Sequence, residues 1–145
     1  AVISLHACDI ATDLALATAI RARAKYIACV PCCHKELLDQ YTLPGLEPLT
    51  KYGVFKARFN DVLTDSMRAL KLEAEGYKVS VVEYISPLDT PKNLLIRAVR
   101  TGQDNARARQ EYDAVRRVLG TTSELDRRCM EMENEFFITD DDLLQ

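Results

Sequence analysis

The chain has 145 residues, 48% hydrophobic and 28% charged; this is the make-up of one soluble globular domain with a core of its own, and it excludes a disordered chain. No stretch approaches the length of a bilayer span and no basic leader opens the sequence, so a membrane partner is not expected and the cytoplasm is the expected compartment. The formal net charge is -3, but residues 131–145, "EMENEFFITDDDLLQ", hold six acids and no base, which leaves the first 130 at +3 and permits a nucleic-acid partner without requiring one.

The first element is "AVISL", Ala1 to Leu5, an apolar run of strand length that reads as a strand buried on both faces. A protein seldom begins on such a strand, so the natural polypeptide is expected to extend upstream. "TDLALATAIRARA" follows with Ala15, Leu16, Ala19 and Ile20 at helical spacing, and Asp9 or Thr12 stands where a side chain accepts from the first turn's amides. "KYIACV", Lys25 to Val30, is a second short strand ending at Pro31. A loop with Pro44, Gly45 and Pro48 leads to a long helix from about Lys51 to Glu75, with Phe55, Phe59, Val62, Leu63, Met67 and Leu70 as its apolar face and Gly76 as its stop. "YKVSVVEYIS" and "NLLIRAVRT" are two strands close enough in sequence to be antiparallel neighbours. "NARARQEYDAVRRVLG" is a helix ended by Gly120. No internal repeat or low-complexity segment occurs.

The order is therefore strand, helix, strand, helix, strand, strand, helix. Two parallel strands joined by one crossover helix point the same way, about 4.8 Å apart, and open parallel sheets bind ligands at their carboxyl edge. His6, Cys8, Asp9, Cys32, Cys33 and His34 should share one rim.

The five cysteines are Cys8, Cys29, Cys32, Cys33 and Cys129, an odd count with two adjacent, which suits reduced thiols in a reducing compartment. Thiolate and imidazole groups at the rim have the chemistry for zinc, yet ligand pairs in familiar structural sites are two or more residues apart and adjacent side chains tend to diverge. No metal is expected on that ground. Adjacency of Cys33 and His34 is poor support for an activated nucleophile, because base and thiol must meet in space. The favoured reading is a rigid wall, Pro31 and Cys32, shaping a pocket, with Cys29 as buried core.

"LHACDIATDLAL", "VPCCHKEL" and "GYKVSVVEYISPLDTPKNLLIRAVR" resemble the class I S-adenosylmethionine-dependent methyltransferases, within them the methyltransferase-like group sharing His-x-Cys-x-x-x-Thr-Asp and Pro-Cys-Cys signatures. Eukaryotic tRNA 2'-O-methyltransferases with a Leu-Cys-Gly-x-Ala-Thr-Asp stretch and a Cys-Cys-His stretch are more distantly similar. The resemblance covers about Val2 to Arg100. It implies an α/β fold that is the C-terminal half of a Rossmann-like methyltransferase sheet: strands four, five, six and a final antiparallel seven, with helices packed on the sheet. Residues 1–120 would be this partial domain and 121–145 an acidic extension. The glycine-rich turn that approaches the cofactor would lie upstream, since the five glycines here are scattered.

By the same resemblance the cofactor is S-adenosyl-L-methionine, held weakly or not at all by this segment alone, with His6, Ala7 and Cys8 beside it. His6, Asp9 and Cys32 are the catalytic candidates; His6 or Asp9 would orient or deprotonate the acceptor. The substrate side would be Pro31, Cys33 and His34, with Lys92 and Asn93 from the "DTPKN" loop, and Thr12 and Asp13 fixing the first loop as it enters its helix. A plain charge at a helix amino end is the simpler reading of Asp13. The Asn/Asp-Pro-Pro-aromatic motif of many amino-group methyltransferases is missing, so nitrogen, oxygen and sulfur acceptors all stay open. RNA is permitted as substrate, with Arg97, Arg100, Arg107 and Arg109 as a candidate basic track. The exposed edge of the first strand calls for cover by the missing N-terminal half or by a homo-oligomer. The alternative function is a non-catalytic interaction or RNA-binding module that kept this sheet.

Overall fold

Two apolar runs open the chain, and the backbone lays them side by side. β1 (Val2–Leu5) pairs in parallel with β2 (Tyr26–Val30), Val2 opposite Ile27 and Leu5 opposite Val30, and the crossover between them is α1 (Ile10–Arg21). A 3-10 turn (Glu47–Thr50), α2 (Gly53–Ala74), β3 (Tyr77–Glu83), β4 (Leu94–Arg100), α3 (Ala106–Leu119) and α4 (Glu124–Asn134) follow. These elements are those of a computed structural model that describes residues 1–86, 88, 90 and 92–134, with 133 and 134 by backbone alone. Pro91 and the acidic stretch beyond 134 lie outside the described residues.

The sheet runs in the order β1-β2-β4-β3, with β4 antiparallel to both of its neighbours. The parallel opening pair, the final antiparallel strand and the helices packed on the sheet agree with the expected α/β architecture of a methyltransferase-like fold.

Register explains where the core lies. Ile27 and Cys29 of β2 stand opposite Ala98 and Ile96 of β4, so all four share one face. That face meets Leu16, Ala17 and Ala19 of α1, Leu72 of α2, and Leu125 and Cys129 of α4 in one cluster. Leu16, Leu72 and Ile96 are 0% exposed, each contributing about 1.5–3 kcal/mol by burial. Two turns depend on glycine: Gly76 has φ 83 and a Cβ there would lie 2.8 Å from the Gln103 carbonyl oxygen, while Gly120 caps α3 at φ 64.

Four expectations change. β1 is not buried on both faces: Ile3 and Leu5 are 69% and 63% exposed, because the helices of the core cluster lie on the other face of the sheet and β1 is an edge strand. On α2, Phe55, Phe59 and Val62 are exposed, and the buried stripe carries Asn60, Thr64, Asp65 and Arg68 with Met67 and Leu72. Only the Leu63, Met67 and Leu70 part of the expected face packs, with Tyr41, Tyr112 and Leu119. Neither Asp9 nor Thr12 caps α1 by its side chain; Thr12 Oγ1 donates back to the Ala7 carbonyl at 2.7 Å. Finally, residues 124–134, where no element is expected from the sequence, form a helix that enters the core through Leu125 and Cys129.

A candidate site at the carboxyl edge of the sheet

Both parallel strands end at the same edge, and their exits are tied together: the His6 amide donates to the Val30 carbonyl at 3.0 Å. The loop His6–Asp9 leaves β1 with positive φ at His6 (51°) and Asp9 (45°), conformations uncommon outside glycine. Asp9, at ψ -114°, lies outside the ordinary left-handed well, a conformation that costs about 1–3 kcal/mol and persists only when its surroundings over-determine it. They do. Asp9 Oδ1 accepts from the Lys35 and Glu36 amides at 3.1 and 3.3 Å, and its carbonyl accepts from Thr12 N and from Arg68 Nη2, each at 3.1 Å. One residue thus clamps the loop after β1 to the loop after β2.

That clamp brings three thiols together. The sulfurs of Cys8 and Cys32 are 3.9 Å apart, Cys32 and Cys33 3.8 Å, and Cys8 and Cys33 3.6 Å. The adjacent side chains of Cys32 and Cys33 converge, contrary to the divergence expected of sequence neighbours. Cys8 is exposed and the other two half-buried; all five cysteines are free thiols, and Cys29 is core as expected. Burial, followed by hydrogen bonding to Cys33 and Cys8, pushes the Cys32 thiol up to about 11.

His34 turns away from the thiols. Its ring is buried against α2, with Nδ1 3.3 Å from Asp61 Oδ1 and 3.2 Å from Lys92 Nζ. Nε2 lies 2.9 Å from Asp65 Oδ1, although off the line that a hydrogen bond needs. Asn60 Nδ2 donates to the His34 carbonyl, and Lys92 also pairs with Asp61. Pro31, His34, Arg58, Asp61 and Lys92 line a pocket of about 220 Å³. A larger cavity, about 530 Å³, is lined by Tyr77, Thr101 and Asp104 at the opposite edge of the sheet, where β3 begins and β4 ends, and has no part in this chemistry.

Beneath the rim is a buried ionic network. Arg68 donates to both carboxylate oxygens of Asp13 at 2.8 Å and to Asp65 Oδ1 at 3.2 Å. Desolvation opposes the Arg68 charge, but the hydrogen bonds and charges of Asp13 and Asp65 hold its pKa above the usual guanidinium range. Asp13 is 2% exposed, so it is framework, neither a solvated helix-end charge nor a group open to a ligand. Thr12, at 1%, is likewise enclosed. Glu36 fastens the second loop to α4, accepting from Glu124 N at 2.9 Å and Arg127 Nη2 at 2.7 Å, and burial pushes its carboxyl up.

The sequence-chosen residues therefore divide. His6, Ala7, Cys8, Asp9, Pro31, Cys32 and Cys33 meet at one rim, and His34 with Lys92 forms a neighbouring pocket. Asn93, 3% exposed, closes its own loop by donating to the Ile85 carbonyl at 2.7 Å. The arginines pair locally: Arg97 with Ser80, Arg107 with Glu111, Arg109 with Asp104. Tyr84, whose hydroxyl is 3.5 Å from His6 Nε2, and the α2 group Asn60, Asp61, Asp65 and Arg68 were missed. Polar residues at 60, 64, 65 and 68 recur at helical spacing and were the available signal.

Residues 1–40 match the family model of a methyltransferase domain. The proteins named glutathione S-transferase C-terminal domain-containing protein from Homo sapiens and Macaca fascicularis are each 29% identical over 119 residues, covering 65% of this chain and 19% of the relative. The mouse protein of the same name matches over the same shares. The chain thus spans about a fifth of the length of these curated relatives. No solved structure matches it. The family match covers both loops of the rim.

Proposed function

We propose that the chain is the acceptor-side, C-terminal portion of a class I S-adenosylmethionine-dependent methyltransferase of the group with the His-x-Cys-x-x-x-Thr-Asp and Pro-Cys-Cys signatures. The observation that carries this reading is the parallel β1–β2 pair, whose two exits bring His6–Asp9 and Pro31–Cys33 to one cleft within the stretch matched as a methyltransferase domain. When bound, the cofactor supplies an electrophilic methyl on a sulfonium. Neither rim loop contains a glycine, so these two loops offer no close-approach turn for the cofactor's carboxylate end. That half is proposed to come from a preceding segment that pairs with β1.

Methyl transfer needs alignment of an acceptor lone pair and a place for its proton. Asp9 supports this by fixing the loop, one carboxylate oxygen being held by two backbone amides. His6 is exposed, its Nε2 within reach of the Tyr84 hydroxyl, and is the group proposed to take the acceptor's proton. Pro31 and Cys32 form the wall opposite. The compartment is taken as the cytoplasm, in keeping with five free thiols.

The test is calorimetric titration with S-adenosylmethionine of this chain alone and of the polypeptide extended through the residues that precede Ala1. Binding confined to, or much tighter in, the longer form is expected, with methyl transfer lost in His6→Ala. No binding by either form would overturn the reading in favour of a non-catalytic interaction or RNA-binding module, which filter binding to RNA would then reveal.

A further inference from the structure

The three thiols at the rim form a triangle of a definite size. For a zinc–thiolate bond of about 2.3 Å, tetrahedral angles place sulfurs about 3.8 Å apart; the observed separations are 3.6, 3.8 and 3.9 Å. The point equidistant from sulfurs so spaced lies about 2.2 Å from each, so an ion at zinc's preferred distance sits just off their plane, the position it takes in a tetrahedral site with one vertex open. We propose that Cys8, Cys32 and Cys33 together bind one zinc(II) ion, leaving its fourth position to water or an exogenous ligand.

Two further observations support the site. The thiols come from two loops locked by groups other than sulfur, through His6 N to Val30 O and Asp9 Oδ1 to the Lys35 and Glu36 amides, so the ligands are held in place before the ion arrives. They are not core packing, since Cys8 is exposed and Cys32 and Cys33 are half-buried. Among the described residues no other His, Cys, Asp or Glu joins the three, and His34 is engaged with Asp61 and Lys92. Three protein ligands and an open vertex are the pattern of a site that activates or receives a ligand, as distinct from a closed structural one. Up to three protons leave the thiols on binding, one per sulfur, and pass to buffer.

The site stands apart from the methyl-transfer reading, because zinc affinity is read with neither donor nor acceptor present. The chain, reduced and stripped with a chelator, is titrated with zinc against a chromophoric competitor and separately with cobalt(II). One ion per chain bound more tightly than about 1 µM is expected, with a sulfur-to-cobalt charge-transfer band of three-thiolate intensity and release of protons to buffer. Loss of a group that only orients a metal ligand already costs about 10–100-fold in affinity; Cys8→Ser, Cys32→Ser and Cys33→Ser should each lose more than about 100-fold, while Cys129→Ser is unchanged. Cys8 is exposed, so Cys8→Ser should keep the wild-type thermal melt of the metal-free chain. Binding weaker than about 10 µM, an affinity unmoved by Cys8→Ser, or a cobalt spectrum without the thiolate band would each overturn the assignment.

Discussion

Arg68 of α2 and Asp13 of α1 meet as a two-pronged pair, both carboxylate oxygens taking a guanidinium N–H at 2.8 Å with each side chain 2% exposed. Such a pair costs desolvation to form, and removing one partner leaves the other charge buried alone. Asp13→Ala or Arg68→Ala should each destabilise the fold by about 3–5 kcal/mol, read by urea unfolding. The double variant Asp13→Leu/Arg68→Met should recover a large part of that loss. Single variants within about 1 kcal/mol of the wild type would show that the pair is solvated and would remove it as the support of the rim.

Tyr112 makes the corresponding contact between α3 and α4. Its hydroxyl donates to Asp126 Oδ2 at 2.6 Å in a buried setting, and desolvation followed by that carboxylate pushes the phenol above its ordinary range. Ser123 Oγ also donates to Asp126 Oδ2, at 3.1 Å. Tyr112→Phe leaves the aromatic packing and removes one donor to a charged acceptor, a loss of about 1.5–3 kcal/mol. Thermal melting measures it. An unchanged melt would mean that Ser123 alone satisfies the carboxylate.

Much of this architecture was legible in the sequence, for reasons visible at particular residues. The two opening strands are continuous apolar runs, Gly76 and Gly120 end helices at positive φ, and a single crossover helix forces β1 and β2 to be parallel. What escaped was whatever depends on a partner distant in sequence. The buried stripe of α2 is polar because Arg68 faces Asp13 and Asp65 faces His34, and apolar counting picked Phe55, Phe59 and Val62 instead. The convergence of Cys32 and Cys33 escaped likewise, since it is set by the Asp9 clamp and not by their own spacing. α4 was hidden by an acidic composition that suggests a solvated end.

Cys29 supplies a test on the alkaline side. It is 0% exposed, and burial pushes its thiol from the ordinary 9.0 up to about 12. The folded chain therefore keeps a proton that the unfolded chain gives up. Its contribution is whole below about pH 9 and is lost as pH rises toward 12, at roughly 1.4 kcal/mol per pH unit. Cys29→Ala should be less stable than the wild type at pH 7 through the small cavity it leaves, yet should lose less stability between pH 9 and 11. Urea melts at pH 7, 9, 10 and 11 measure both. Parallel slopes for the two proteins would show that Cys29 does not govern the alkaline limb.

The open face of β1 bears on what the chain meets. Ile3 and Leu5 project from the face of the sheet away from the core helices, at 69% and 63% exposure, beside an outer edge of β1 that no described strand pairs. Apolar surface next to unpaired strand groups invites association. The chain alone is therefore expected to self-associate with rising concentration, and Leu5→Lys, which places a charge on that surface without touching the rim residues, should shift it toward monomer in sedimentation equilibrium. On the proposed reading, a polypeptide extended through a preceding segment that pairs with β1 should do the same without any substitution, because it would cover the free edge. A wild-type chain that stays monomeric at high concentration would count against β1 as an interior strand of a larger sheet, whereas a dimer that persists after the extension would assign the face to a second copy.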